Sequence, residues 1–239
     1  MTQPATAPFD PRILQRYARV AGVAMLLTMI FGFLGEMYLP GQLVVAGDAT
    51  ATAARISGNP LLFRLTFGAY LVEGICDVAL CLLFYVLLEP VNRRLALLSA
   101  FFGIASMVTY AMSEASFYSA SLVLRETHGM AAFTPDQRNA MALLGVRISA
   151  TIAWLFLSLY AIASMLRGYL IMRSAYLPRW IGVLLMIGGA GFMLRSATFL
   201  LAPAYSSGLL LAPMALAGIP LTLWLLLRGV DTSRVPAAA

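Results

Sequence analysis

Apolar residues run almost without interruption through six stretches of this chain, at 20–39, 61–88, 95–124, 139–166, 180–202 and 208–227. A helix needs about 20 apolar residues to cross the hydrocarbon core of a bilayer, and each stretch meets that length. Lipid offers no water to backbone N–H and C=O groups, so segments of this kind must satisfy them internally and are predicted as helices. The reading is an all-α, polytopic transmembrane bundle of six helices over residues 17–228. Tails at 1–16 and 229–239 are predicted to be disordered, the first of them opening on a stretch rich in Pro, Thr and Ala.

The polar residues between the stretches carry local signals. Gly47-Asp48, followed by an alanine–threonine run, predicts a short capped helix that stops at Ser57-Gly58-Asn59-Pro60 and lies across one mouth of the bundle. Thr134-Pro135-Asp136-Gln137 combines a capping hydroxyl, a proline at the first helical position and a glutamine three residues after the cap. The fourth helix is therefore predicted to begin near residue 135, outside the hydrocarbon, so that the third and fourth helices protrude on one face. Pro213 and Pro220, with Gly218 between them, predict a kink or local opening in the sixth helix. Ala111, Ala115 and Ser119 predict a close-packing face on the third.

Composition and charge set the class and orientation. Hydrophobic residues make up 61% of 239 positions and charged ones 11%, against roughly 25% charged in an average soluble domain. The formal net charge of +6 comes from 16 arginines, with no lysine, against 10 acids. Ten arginines fall in the amino-terminal tail (Arg12, Arg16, Arg19), two links (Arg93, Arg94; Arg167, Arg173, Arg179) and the carboxy-terminal tail (Arg228, Arg234). Five lie on the opposite side or at its helix ends: Arg55, Arg64, Arg125, Arg138 and Arg147. This bias predicts that both termini are cytoplasmic, and it reads the excess charge as topology rather than nucleic-acid binding. The basic links are also where anionic lipid headgroups are met, at about 1 kcal/mol per arginine. The first apolar run exceeds the length of a signal-peptide core and contains Glu36, so it is read as retained. Cys76 and Cys81 sit five apart on one predicted helix, their side chains diverging by roughly 140°, which excludes a disulfide between them. Two cysteines imply no metal framework either.

Seven ionisable residues lie inside or at the ends of the spans: Glu36, Arg64, Glu73, Asp77, Glu114, Arg147 and Arg195. A charge in hydrocarbon costs roughly 2.5–3.5 kcal/mol even on insertion scales, so each must be paired, protonated, hydrated or used. Under the predicted topology all seven fall in the outer half of the membrane. Helical spacing groups them further. Thr66, Tyr70, Glu73 and Asp77 share one face of the second span, as do Ser106, Tyr110, Glu114, Phe117 and Ser121 on the third. Arg147, Thr151, Trp154 and Ser158 do so on the fourth, and Gly188, Gly191, Arg195 and Thr198 on the fifth. Such stripes predict a mixed-charge cavity open to the outside, with Arg195 paired to a carboxylate among Glu36, Glu73, Asp77 and Glu114.

Three chemistries compete for this constellation. Binding, sensing or transport of a small polar or amphiphilic molecule at the outer face leads. An accessory or structural protein, whose charges only fix helix packing, comes second. A membrane-embedded enzyme with Glu73 and Asp77 as acid and base comes third, lacking a nucleophile or metal to go with them. The four carboxylates also suit a hard cation, but His128 is the only histidine and lies in a loop, against a zinc or haem site. No nucleophile elbow, phosphate loop or dinucleotide fingerprint is present, so no cofactor is expected. Trp180 and Trp224 read as interface anchors. The oligomeric state is not legible.

Certain residues carry a family likeness. Gly35-Glu36-Met37-Tyr38, the Gly47-Asp48 segment, Leu62-Phe63-Arg64 and the run from Tyr85 through Pro90, Asn92 and Ala96 resemble the bacterial membrane-protein family catalogued as domain of unknown function 4386. The resemblance covers most of the chain and is most specific in the first 100 residues. It implies a bacterial multi-pass protein and brings no activity with it; the expected location is the bacterial cytoplasmic membrane.

Overall fold

The computed structural model describes residues 11–125 and 129–234, and helices account for almost all of them. Six are long and apolar enough to cross a membrane: Arg12–Leu43, Pro60–Leu88, Arg93–Leu124, Pro135–Arg173, Arg179–Leu201 and Gly208–Leu227. Large apolar side chains crowd their outer faces, with Ile75 63% exposed and Phe101 62%. A soluble domain rarely shows apolar surface on this scale, whereas lipid requires it. The chain is a multi-pass, all-α membrane protein.

In chain order the elements are α1 (Pro11–Gly32), a π-helical turn (Phe33–Tyr38), α2 (Leu39–Leu43), α3 (Ala49–Gly58), α4 (Pro60–Leu88), α5 (Arg93–Leu124), α6 (Pro135–Arg173), α7 (Arg179–Leu201) and α8 (Ala212–Leu227), with short 3-10 turns between. Capping chemistry explains the boundaries. The Asp48 carboxylate accepts from the Ala51 N–H at 2.8 Å and starts α3. Thr134 and Gln137 exchange hydrogen bonds of 2.9 and 3.3 Å, a capping box that opens α6. Residues 11–16, assigned by pattern to the amino-terminal tail, already belong to α1. Pro213 stands in the first turn of α8, where its missing N–H costs nothing, so the local opening falls in the 3-10 turn Gly208–Leu211 ahead of it. Pro220 is inside the continuous helix.

The chain divides into two compact units. One comprises Leu27–Cys76 and Met107–Phe156. The other comprises Asp77–Ser106 with the described parts of the two terminal stretches, 11–26 and 157–234.

In the first unit, α5 packs on α6 through small polar residues. The Ser113 hydroxyl donates to the Ser149 carbonyl at 2.9 Å and Ser116 to the Gly145 carbonyl at 3.0 Å. This corrects part of the predicted close-packing face: Ala111 and Ala115 are exposed, whereas Ser119 lies on the tight side with Ser113, Ser116 and Ala120, its hydroxyl oxygen 2.7 Å from where a β-carbon on Gly145 would stand. In the second unit, α6 and α7 meet at two glycines. A β-carbon on Gly182 would lie 2.5 Å from the Gly168 carbonyl oxygen and 2.7 Å from the Met172 nitrogen.

Candidate functional site

The site builds from the π-helical turn. Such turns insert one extra residue per turn and recur at functional sites. Here the widened turn presents Glu36, an exposed residue, from the segment just after α1. Gly32 and Gly35 let this backbone lie directly on α4. A β-carbon at 32 would sit 2.6 Å from the Glu73 Oε1, and one at 35 would touch the Tyr70 ring at 3.2 Å.

Glu73 and Tyr70 come from α4, Tyr110, Glu114 and Phe117 from α5, and all five side chains are buried. The Tyr110 hydroxyl donates to the Glu73 Oε2 at 2.5 Å. Tyr70 packs edge-on against Tyr110 at 5.8 Å and against Phe117 at 6.3 Å, and Tyr110 also meets Phe156 at 4.9 Å. The ladder extends from Phe117 to Phe63, whose rings stack at 5.3 Å. Phe63 lines a cleft of about 180 Å³ with Ile56, Ser57, Pro60, Ser121, Leu124 and Arg125, so the end of α3 borders one end of the aromatic ladder.

Three carboxylates attend these rings. Glu36, Glu73 and Glu114 all lie close enough to Tyr70 for their charges to act on its hydroxyl. Glu114 is 7% exposed, and its Oε2 hydrogen-bonds to nothing among the described residues. A buried carboxyl oxygen without a donor costs about 1–3 kcal/mol or more. Also among the described residues, no three of His, Cys, Asp and Glu converge closely enough to hold a metal ion.

The structure sorts the remaining sequence candidates. Arg64 and Arg147 belong to the same unit, but both are exposed, as is Thr151 beside Arg147, so the fourth-span stripe does not face inward at that end. What gathers in this unit is acids and tyrosines rather than acids and arginines. Asp77 and Arg195 fall in the other unit. Asp77 is buried, and Arg195 is half-buried and donates through Nη1 to the Ser206 hydroxyl in the segment after α7. His128 lies outside the described residues.

Sequence reasoning missed one buried charge. Arg167, assigned to a link, lies within α6 and is 5% exposed. Its guanidinium is held over Phe84 at 5.2 Å and Tyr160 at 5.7 Å, and its Nη2 donates to the Cys81 sulfur at 3.6 Å. Gly103 makes room, since a β-carbon there would meet both the Cys81 sulfur and Arg167 Nη2 within 2.8 Å. The run Met165-Leu166-Arg167-Gly168-Tyr169-Leu170 is apolar on both sides of the charge, which is the signal that places it inside the helix.

Comparisons with known proteins give a relative and a family. An uncharacterized protein of Archaeoglobus fulgidus is 26% identical over 136 residues, covering 57% of this chain and 67% of the relative. No solved structure matches the chain. The family model described as Domain of unknown function (DUF4386) matches residues 20–229, an interval that holds the acid–tyrosine cluster, the first apolar helix from residue 20 onward and the other five entire, and the chain belongs to that family.

Proposed function

We propose that the protein binds a small amphiphilic molecule with a positively charged head at the acid–tyrosine cluster, as a sensor or transporter of that molecule. The observation that carries this reading is the buried, unpartnered Glu114 Oε2, next to tyrosine rings on which the charges of Glu36 and Glu73 also act. Aromatic faces attract cations by about 0.5–2 kcal/mol each, and nearby carboxylates supply the countercharge. Among the described residues no three such donors group as metal ligands do, which favours an organic cation of larger radius. The arginine bias puts the cluster on the non-cytoplasmic side, in a cytoplasmic membrane whose inner face holds both termini.

A packing role is the second reading, supported by the short Tyr110–Glu73 hydrogen bond that ties α5 to α4. One experiment separates the two. Thermal unfolding of the detergent-purified protein is followed with tetraethylammonium, benzyltrimethylammonium and tetraphenylphosphonium, in the parent and in Glu114→Gln. We expect at least one cation to raise the parent's Tm and to lose that effect in Glu114→Gln, while the cation-free variant is as stable as the parent. If no cation shifts the parent, or if Glu114→Gln keeps the shift, packing is the better account.

A further inference from the structure

We propose that a cleft at the ends of α6, α7 and α8 is a binding site for the phosphate of an anionic lipid headgroup. The cleft has a volume of about 410 Å³ and is lined by residues 175–178 of the α6–α7 turn, by Trp224, and by residues 228–231 and Arg234 of the carboxy-terminal segment. It lies within one structural unit, and none of its residues belongs to the acid–tyrosine cluster.

The cleft is built, not incidental. Gln15 on α1 clamps the segment after α8: its Nε2 donates to the Arg228 carbonyl at 2.9 Å, and its Oε1 accepts from the Val230 N–H at 2.8 Å. Gly229 permits this with φ of +69°. A β-carbon there would lie within 2.7 Å of three Gln15 atoms. The Asp231 N–H then donates to the Tyr176 carbonyl at 3.1 Å, closing the segment onto the α6–α7 turn. Tyr176 is itself pinned, its hydroxyl donating to the Leu87 carbonyl at 2.6 Å. The segment after α8 is thus held as a wall.

The chemistry of the walls selects an anion. Arg228 lies over the Trp224 ring at 4.8 Å, exposed and oriented by that contact. Arg234 supplies a second guanidinium, and planar guanidinium groups match phosphate oxygens in pairs. The one carboxylate among the described lining residues, Asp231, is occupied from within its own turn by the Ser233 hydroxyl at 2.6 Å and by the Arg234 Nε at 3.1 Å. Those contacts hold its carboxyl below the ordinary range, the Ser233 hydroxyl contributing most. The Trp224 indole nitrogen is buried and donates to nothing among the described residues. Pro178 caps α7 without a side-chain acceptor, so the positive end of that helix dipole opens at the cleft. Two arginines and a helix N-terminus thus border the cleft at one end of three apolar helices, with the exposed Trp180 two residues after Pro178 as an interfacial anchor.

The test uses the full-length protein in nanodiscs of phosphatidylcholine, alone or with phosphatidylglycerol, and in neutral detergent with inorganic phosphate. Three proteins are compared: the parent, Arg228→Gln with Arg234→Gln, and Arg93→Gln with Arg94→Gln as a basic-link control. We expect phosphatidylglycerol to raise the Tm of the parent and the control by about 3 °C or more, with most of that shift lost in Arg228→Gln with Arg234→Gln. A phosphate-induced shift that disappears in the same variant supports the anion site and assigns the bound species to soluble phosphate. Equal shifts in all three proteins, or none in the parent with either probe, overturn the proposal. Both cleft arginines lie beyond the last helical residue of α8. Matching Tm values in pure phosphatidylcholine verify that the variants fold.

Discussion

At the scale of single residues, Glu73 and Glu114 show how two carboxylates of one cluster take different parts. Glu73 is held by the Tyr110 hydroxyl and backed by Gly32, while Glu114 keeps an oxygen with no donor among the described residues. A hydrogen bond to a charged group contributes about 1.5–3 kcal/mol, so Tyr110→Phe should lower stability by that amount. Glu73→Gln should cost less when Tyr110 is already Phe. Thermal unfolding of the two single variants and the double variant measures the coupling, and simple additivity would mean that the two side chains do not act together. The helical spacing of Tyr70, Glu73, Tyr110, Glu114 and Phe117 was legible in the sequence, because a period of 3.6 places such residues on one face whatever the neighbours are. The exposure of Arg64 and Arg147 was not, since spacing tells which residues share a face but not which way the face looks.

At the scale of elements, close helix packing depends on where glycine meets backbone. Gly182 abuts the Gly168 carbonyl, and no flexible side chain can yield there. Gly182→Ala should therefore cost about 1–3 kcal/mol through overpacking. Gly74 on α4 has nothing within 4 Å of an added β-carbon, and Gly74→Ala should instead stabilise by about 0.5–1 kcal/mol, because alanine loses less entropy in a helix. Chemical or thermal unfolding of the pair in one detergent checks both signs, and a destabilised Gly74→Ala would point to a partner on that face. Several element ends were legible from caps and turns in the sequence: Asp48 and the Thr134–Gln137 box mark helix starts at the positions observed, and the Ser57–Pro60 turn marks the end of α3. The π-helical turn at Phe33–Tyr38 was not legible, because its extra residue depends on the close approach of Gly32 and Gly35 to α4 rather than on any local propensity.

At the scale of the whole molecule, orientation rests on the arginine bias. Moving Arg167 from a link into α6 leaves nine link and tail arginines against five, since one of the ten is removed, and the direction of the bias stands. Reporter fusions after Arg94 and Arg173 should read as cytoplasmic, and fusions near Gly58 and Gly129 as external. Opposite signals at both external points would turn the proposed ligand site to the cytoplasm. The sequence by itself determined the number of spans and their helical state, because lipid leaves a backbone no alternative and about 20 apolar residues declare a crossing. It also marked acids and tyrosines that gather in one unit, since charge in hydrocarbon is costly enough to single such residues out. Only the tertiary structure decided which of these residues meet. Glu73 finds Tyr110 on another helix, Arg167 on α6 finds the Phe84 ring on α4, and the segment after α8 becomes a wall through Gln15, more than 200 residues away. Those contacts join residues far apart in the chain, and periodicity along one helix carries no information about the register of its neighbours.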